Sequence, residues 1–351
     1  MRYPKFLKQN GTIGFLAPSF GCATEPYESS FKHSLNRWSD LGYSTKLGPN
    51  CFLNEGIGIS NSPVKCGDEV MSMFADENAD VLISCGGGEL MCEILDYVDF
   101  KRLTQLPPKW FMGYSDNTNL TFLLPTLCDT AAIYGPCSGT FGMEPWDESL
   151  EDAYRLLTGD KQVMTGYRYW EKEPIKDPDN PLVPYHLTQE RVHKYWINDL
   201  FVPDGRTFKD AFLIQGRLLG GCLDCLVGLI GTKFDRVKDF NKRYKKDGVI
   251  WFLEACDLNV FVIRKALWHM EQAGWFQNVK GFLIGRALNG AEMMGLDVYQ
   301  AVLAVAGKYH VPVVMDADIG HLPPMMPLIV GGYAVVDVKG NEISIDMSTQ
   351  K

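Results

Sequence analysis

Short apolar runs alternate with helical patterns over about the first 140 residues of the chain. The runs lie at 12–17, 81–85 and 110–112, and a helical pattern covers about 28–41. This βαβ order predicts a parallel sheet with helices on its faces. Ligands of such sheets collect beyond the carboxyl ends of the strands, so the residues that follow the runs are the first candidates for a site.

Regular patterning stops between about Gly159 and Lys209, where proline, aspartate, asparagine and aromatic residues dominate. Three prolines in the stretch 174–181 exclude a helix or a central strand there. The segment is therefore predicted to be a linker or a long ordered loop. Its aromatic residues, Trp170 and Trp196 among them, favour a lid or a substrate-contacting insertion over a disordered tether.

A second α/β unit is predicted after this insertion. Its expected elements are strands around 249–253, 281–284 and 311–315, helices around 259–272 and 297–309, and paired strands near 328–338 and 342–346. We expect an α/β domain carrying a nucleophile over 1–150, a linker and inserted loop over 151–212, and a smaller, β-rich α/β domain over 213–351.

Composition excludes several classes of protein. A net charge of −9 argues against a nucleic-acid partner. No signal-peptide pattern and no apolar run of membrane-spanning length is visible, so a cytoplasmic location is expected.

The ten cysteines lie mostly in apolar segments, which fits a reducing compartment. Cys222 and Cys225 form a C-x-x-C pair without a second pair or a flanking histidine, so core packing is favoured over redox chemistry, and we predict no metal and no cofactor.

The tetrad Gly113-Tyr114-Ser115-Asp116 stands between an apolar run and an amphipathic stretch, at a strand-to-helix corner. A serine in such a turn can project its hydroxyl above a sheet edge, and the following helix offers free backbone N–H groups to an oxyanion. The alternative is that Ser115 is a helix N-cap.

A nucleophilic serine needs a base and a group that orients the base. His321 follows a predicted strand and Gly320, so we expect an exposed imidazole in a loop at a strand end; a histidine that contacts only local backbone is the alternative. Glu254 ends the apolar run 249–253, where a carboxylate needs a partner or a task. That partner is His321 in the catalytic interpretation; the structural alternatives are a surface-edge glutamate or an ion pair with Arg264 or Arg286.

Three glycines at 86–88 end another predicted strand and let the backbone approach a ligand closely. A phosphate loop is one interpretation, although no Walker lysine is present. The other is an oxyanion hole made by the N–H of Gly87 or Gly88 together with the N–H of Asp116.

The ordered set of the glycine run, the serine tetrad, the segment 216–221, the strand ending in Glu254 and the Gly320-His321 pair resembles the serine LD-carboxypeptidase family, which includes the microcin C immunity peptidases. The resemblance implies a triad of Ser115, Glu254 and His321. It also implies an amidotransferase-like N-terminal domain, a β-rich C-terminal domain and a homodimer.

Two positions depart from that family. Ala255 stands where an acidic residue often follows the triad glutamate, and Cys222 stands where an asparagine is usual. The His321 neighbourhood and the long insertion look more like the microcin-immunity branch. In that branch an inserted-loop tryptophan stacks on a nucleobase, a role that would fall here to Trp196 or Trp170; a tryptophan buried under its own loop is the alternative.

These features predict a serine carboxypeptidase that cleaves an amide bond in a short peptide or peptide-like conjugate, with the microcin-immunity-like branch favoured. Its substrate is either an aminoacyl-nucleotide conjugate or a murein tetrapeptide in cell-wall recycling. A non-catalytic small-ligand-binding protein on the same fold is the alternative of another class. Amidotransferase chemistry would need a cysteine at the position of Ser115.

Overall fold

The computed structural model describes residues 1–348, which form two compact units. The first unit holds Met1–Gln162 and Glu173–His186. The second holds Val163–Lys172 and the described residues from Leu187 onward. None of the helices in residues 1–348 combines the length and the apolar character that crossing a membrane requires.

The first unit is built on a parallel sheet, as predicted. Its strands are β1 (Thr12–Leu16), β2 (Ser44–Leu47), β3 (Val81–Ser84), β4 (Phe111–Gly113) and β5 (Ala132–Tyr134). Within this unit they lie in the order β5-β4-β3-β1-β2. The helices are α1 (Tyr27–Asp40), α2 (Pro63–Ala75), α3 (Phe100–Gln105), α4 (Thr118–Thr121), α5 (Leu123–Cys128) and α6 (Glu148–Thr158).

Burial on both faces explains why β3 and β4 read as continuous apolar runs. Every residue of these two strands is buried, as is usual for parallel strands covered by helices on each side. Phe111 of β4 belongs to a core cluster with Phe74 of α2 and Leu120 of α4. Since Leu82 and Phe111 are register partners, β3 and β4 end side by side. The glycine run 86–88 and Ser115 follow those two ends.

The second unit is built on a mixed, nine-stranded sheet. Its strands are β6 (Val163–Thr165), β9 (Lys194–Ile197), β10 (Leu200–Val202), β11 (Ala211–Cys222), β12 (Val249–Glu254), β13 (Val279–Gly285), β14 (Val313–Ala317), β16 (Tyr333–Lys339) and β17 (Glu342–Asp346). The spatial order is β10-β9-β14-β13-β12-β11-β16-β17-β6. The central strands β11 to β14 are parallel, and the flanking strands are antiparallel.

The remaining elements of this unit are short strands and helices. The strands are β7 (Tyr169–Trp170), β8 (Gln189–Glu190) and β15 (Leu328–Val330), and the helices are α7 (Leu223–Leu229), α8 (Val237–Arg243), α9 (Val260–Gln272) and α10 (Val298–Ala306). A β-rich α/β C-terminal region is thereby confirmed. Because β11, β12, β13 and β14 run parallel, their carboxyl ends meet at one edge of the sheet.

The segment predicted as a linker or long ordered loop contains more regular structure than expected. Strands β6 to β10 lie within it, and β9 pairs with β14 through Trp196 opposite Val313. These strands are only 2–4 residues long, so they carry no readable alternation. The proline-rich stretch 174–181 forms no strand or helix, as the sequence predicts.

Candidate active site

Ser115 lies directly beyond β4 in a left-handed backbone conformation, with φ of 61°. A non-glycine residue in this region is strained by about 1–3 kcal/mol and persists only where its surroundings hold it. A short 3-10 helix, Ser115–Asn117, starts at this residue, and α4 follows. Helix N-caps typically have an extended backbone; the extended residue ahead of the 3-10 helix is Tyr114, and Asn117 precedes α4, so Ser115 is the cap of neither. The conformation of the half-buried Ser115 thus differs from that of a helix cap and is compatible with a nucleophile turn.

Neighbouring polar groups hold this turn. The Asn117 side-chain amide donates to the carbonyl oxygens of Gly86 at 2.7 Å and Tyr114 at 3.1 Å. The Ser115 N–H donates to the Tyr134 hydroxyl at 3.4 Å. Asn117 and Tyr134 were not singled out from the sequence; the carboxyl-end position of Tyr134 on β5 is the only signal that would have pointed to either.

The two glycines proposed for the oxyanion hole have different neighbours. A Cβ atom placed on Gly87 would lie 3.0 Å from Ser115 Cβ and 3.1 Å from its Oγ, so Gly87 borders the serine side chain directly. A Cβ atom on Gly88 would instead meet Ser19 and the Gly58 carbonyl. The structure therefore brings Gly87 beside Ser115, and Gly88 packs against another loop of the same unit.

The Asp116 carboxylate anchors the serine turn in the interior of the first unit. It accepts hydrogen bonds from the Ser19 hydroxyl at 2.5 Å, the Met91 N–H at 2.9 Å and the Asn119 amide at 3.1 Å. Burial raises the pKa of Asp116 to about 6, and these donors limit the rise. The side chain of Asp116 is thus occupied, and its backbone N–H remains the candidate oxyanion donor.

Glu254 and His321 meet in the second unit. Glu254 is the last residue of β12 and is fully buried, and His321 follows β14 in a loop. The His321 Nδ1–H donates to Glu254 Oε2 at 2.8 Å. Gly320 has φ of 101°, and a Cβ atom on it would lie 2.6 Å from Glu254 Oε2. Only glycine fits there, so the Gly320-His321 dipeptide is shaped around the carboxylate.

His321 is mostly buried, with 13% of its side chain exposed, whereas the sequence predicted an exposed imidazole. Burial disfavours the charged ring, but the Glu254 carboxylate and hydrogen bonds with Cys256 and Glu254 outweigh it. Together they raise the pKa of His321 above its ordinary value of 6.5. The carboxylate therefore orients the ring and stabilises the imidazolium.

Arg286 holds the loop that carries His321. Its guanidinium forms an ion pair with the buried Asp318 at 2.7 Å and donates to the carbonyl oxygens of Asp316 at 3.0 Å and Leu322 at 3.3 Å. The structural alternative for Glu254, an ion pair with Arg286, is thus not formed. The Arg286 side chain fixes the backbone on both sides of His321.

Trp170 and Trp196 lie in different surroundings within the second unit. Trp170 lines a cavity of about 290 Å³ together with Lys194, Arg286, Tyr299 and further residues. Its ring lies 5.0 Å from the Arg286 guanidinium. Trp196 belongs to β9 and packs near Gly307. Of the two tryptophans, Trp170 is the one at a cavity that adjoins the His321 loop.

The predicted residues thus fall into two groups. Ser115, Gly87 and Asp116 are neighbours in the first unit, and Glu254 and His321 are neighbours in the second. The first group combines a hydroxyl with a closely approaching glycine. The second supplies an imidazole and the carboxylate that orients it, which are the parts that serine acyl-transfer chemistry uses.

Known proteins and family models match this chain along most of its length. The family model described as LD-carboxypeptidase N-terminal domain matches residues 13–135, and the one described as LD-carboxypeptidase C-terminal domain matches residues 215–336. "Microcin C7 self-immunity protein MccF" of Escherichia coli is 24% identical over 286 residues, covering 78% of this chain and 77% of that protein. A Bacillus subtilis protein named "Probable murein peptide carboxypeptidase" is 24% identical over 341 residues, covering 95% of this chain and 91% of that protein.

Solved structures share the fold. The MccF-like protein of Bacillus anthracis matches with a TM-score of 0.81 at 21% identity, covering 100% of both chains. A structure of MccF in complex with aspartyl sulfamoyl adenosine matches with a TM-score of 0.79 at 20% identity, covering 98% of both chains. At such identities these matches show the fold alone, which is a mixed α/β architecture with a parallel N-terminal sheet and a β-rich C-terminal part.

Proposed function

This chain belongs to the LD-carboxypeptidase family of peptidases, and on that premise we propose that it hydrolyses an amide bond of a short peptide or peptide-like conjugate through Ser115, Glu254 and His321. The observation that carries the proposal is the left-handed backbone of Ser115 beside Gly87. A helix cap needs no such strain, whereas a nucleophile turn does. The buried hydrogen bond between Glu254 and His321 supplies the remaining two roles.

In the proposed mechanism Ser115 Oγ attacks the scissile carbonyl carbon while His321 takes the hydroxyl proton. Glu254 holds the imidazole in one tautomer and stabilises the imidazolium that forms. The N–H groups of Gly87 and Asp116 donate to the oxyanion of the tetrahedral intermediate. His321 then passes the proton to the departing amine, and water, activated by the same imidazole, releases the acyl group from Ser115.

We favour an aminoacyl-nucleotide conjugate as the substrate class. Support comes from the cavity that Trp170 lines, because an indole ring can stack on a nucleobase. A solved MccF complex holds aspartyl sulfamoyl adenosine, which combines an amino acid with a nucleoside. A murein tetrapeptide is the second candidate, because the Bacillus subtilis relative bears the name of a murein peptide carboxypeptidase.

The test is mass spectrometry of products from two incubations, one with a murein tetrapeptide and one with an aminoacyl sulfamoyl adenosine. We expect the wild type to cleave the nucleoside conjugate, Ser115→Ala to cleave neither, and Ser44→Ala, at an exposed serine of the first unit, to behave as wild type. Serine-dependent release of D-alanine alone would assign the murein role. Equal turnover by wild type and Ser115→Ala would sink the proposal and favour a non-catalytic ligand-binding protein.

We also infer a homodimer, on the family resemblance alone. Light scattering of the purified protein is expected to give about twice the mass of one chain, and a single-chain mass at micromolar concentration would contradict it.

A further inference from the structure

A thiol, a carboxylate and an imidazole converge at the carboxyl edge of the second sheet. Ligand atoms of Cys222, Glu254 and His321 all lie within 4.8 Å of one another. In residues 1–348 no other group of three or more such side chains comes together in this way. Cys222 ends β11, Glu254 ends β12, and the two are register partners across the parallel pair. The pairing of β11 with β12 therefore brings Cys222 and Glu254 together, and the loop after β14 adds His321.

We propose that Cys222, Glu254 and His321 bind a thiophilic divalent cation such as Zn²⁺. Thiolate, carboxylate and imidazole are the three side-chain ligands that zinc uses in proteins. Zinc bonds of about 2.0–2.3 Å place two ligand atoms about 3.5 Å apart at a tetrahedral angle. Separations of at most 4.8 Å would shorten to that value, and the 2.8 Å between His321 Nδ1 and Glu254 Oε2 would lengthen to it, through side-chain shifts of about 1 Å.

Two further thiols adjoin the cluster. The Cys225 thiol is close enough to raise the pKa of Cys222, and the Cys256 thiol close enough to raise the pKa of His321. Neither sulfur belongs to the group whose ligand atoms lie within 4.8 Å of one another, so a water molecule is the expected fourth ligand of a tetrahedral ion. The donor set is therefore softer than a carboxylate site for Mg²⁺ or Ca²⁺, and it selects zinc-like ions.

The surrounding charge also favours a cation. Asp224 accepts a hydrogen bond from the Cys222 thiol at 3.3 Å and from the backbone N–H groups of Cys256 at 3.1 Å and Asp257 at 2.8 Å. This carboxylate ties the start of α7 to the turn after β12, so it holds Cys222 near Glu254. The hydrogen bond from the Cys222 thiol is lost when the thiolate forms, and the negative charge of Asp224 then adds to the attraction of the cluster for a cation.

Binding replaces protons with the metal ion. The Cys222 thiol releases its proton to solvent as the Zn–S bond forms, and His321 coordinates as the neutral ring after releasing any second proton. The ion takes both Glu254 and His321 out of the roles given to them above. Resting on the proposed function, we infer that Zn²⁺ inhibits hydrolysis, so the ion acts here as an inhibitor rather than as a cofactor.

The sequence alone did not predict this site. The pair Cys222 and Cys225 lacks a flanking histidine, which argued against a zinc site. The histidine is supplied from almost one hundred residues further along the chain, by the loop after β14. The asparagine that is usual at position 222 in the resembling family offers no thiolate, so the site is expected to be particular to chains with cysteine there.

Cobalt absorption tests binding without any substrate. Wild-type protein titrated with Co²⁺ is expected to show a sulfur-to-cobalt charge-transfer band and the visible bands of a tetrahedral ion at one equivalent. The thiolate band should vanish or fall by most of its intensity in Cys222→Ser and Cys222→Ala. It should persist in Cys92→Ser, which alters an exposed cysteine of the first unit. Zn²⁺ should displace the cobalt, with affinity lowered roughly tenfold or more by loss of Cys222.

A wild-type protein without the thiolate band, or a band that survives in both folded Cys222 variants, would overturn the site. Circular dichroism identifies a variant that fails to fold. Glu254→Gln keeps the shape of the side chain but removes the carboxylate ligand, so it tests the cobalt site independently of Cys222. Inhibition by Zn²⁺ is then measured relative to the metal-free rate of each variant. A cobalt band with no turnover of any substrate refutes the proposed function and leaves the metal site standing, whereas turnover insensitive to Zn²⁺ refutes the inhibition.

Discussion

Ser115 is held in a backbone conformation that glycine adopts without strain. A Cβ atom in the left-handed region costs about 1–2 kcal/mol, and the φ of Ser115 is 61°. We therefore predict that Ser115→Gly is more stable than Ser115→Ala by about 1 kcal/mol, since both remove the hydroxyl and only alanine keeps the Cβ atom. Urea denaturation monitored by circular dichroism measures the difference in unfolding free energy.

The matched pair at Ser44 controls for the general effect of glycine. Ser44 lies in β2, where glycine is expected to be less stable than alanine because it loses more backbone entropy on folding. The order of stability should thus reverse between the two positions. A Ser115→Gly variant that is less stable than Ser115→Ala would contradict the strained conformation.

The pairing of His321 with Glu254 predicts the pH dependence of turnover. Because the pKa of His321 is raised, the neutral ring needed for catalysis should form only above the ordinary histidine range. The ascending limb of kcat/KM should lie well above pH 6.5, the ordinary histidine pKa. In Glu254→Gln the limb should move toward lower pH, since the carboxylate charge is gone. Glu292→Gln, at an exposed position of the same unit, should leave it in place.

The same shift has a defined sign for stability. A histidine whose folded-state pKa is raised adds stability that is fully present below its unfolded pKa of 6.5 and is lost as pH rises through the folded value. Wild type should therefore lose stability relative to Glu254→Gln as the solution becomes alkaline.

For the pH dependence of turnover, an ascending limb of kcat/KM at or below pH 6.5 in the wild type would be incompatible with a protonated His321 beside Glu254.

Individual site residues are predictable from sequence only where a local pattern marks them. Ser115, Glu254 and His321 each follow an apolar run that reads as a strand, so each stands out alone. Their contacts depend on register and strand order, which no local pattern contains. Cys222 reaches Glu254 only because β11 and β12 pair in parallel. The loop that carries His321 is likewise held by Arg286, through contacts that no local pattern contains.

At the scale of elements, length decides what the sequence reveals. β12 is six buried residues long, and α9 begins after Asn259, whose side chain caps the N–H groups of Phe261 and Val262. Both are predicted from the sequence at nearly the observed bounds. Strands β7 and β8 have two residues each and are defined by pairing with each other. Such elements depend on tertiary contacts, so the sequence predicted only a loop.

β7 and β9 place their tryptophans in different surroundings, which leads to a separate prediction for each residue. Trp170→Ala should raise KM for an aminoacyl-nucleotide substrate by about tenfold, because a lost stacking contact is worth about 1–3 kcal/mol. It should leave KM for a plain murein tetrapeptide unchanged. Trp196→Ala should instead lower stability by about 2 kcal/mol, because it removes a half-buried ring from the sheet.

Steady-state kinetics on both substrates, together with urea denaturation, separates the two tryptophans. Trp268→Ala removes an exposed indole from α9 and is the control for a general loss of an aromatic side chain. Equal losses on both substrates in Trp170→Ala would mean that the ring supports the His321 loop through Arg286 and does not read a nucleobase.

At the scale of the whole molecule, the chain crosses between the two units three times, after Gln162, Lys172 and His186. The segment 173–186 belongs to the first unit, where the Glu144 N–H donates to the Leu182 carbonyl at 2.9 Å. The second sheet in turn includes β6, β9 and β10 from before position 213. A C-terminal domain limited to 213–351, as predicted from the sequence, would lack those three strands.

We therefore predict that a fragment of residues 163–351 folds and that a fragment of 213–351 does not. Without β9 the backbone groups along one edge of β14 lose their partners, and without β6 the same holds for β17. Exposed strand edges and a truncated core favour aggregation. Circular dichroism, analytical gel filtration and urea denaturation compare the two. A monomeric 213–351 fragment with the same cooperative unfolding midpoint as 163–351 would show that the three strands are dispensable, and the boundary near 213 would then be the better one.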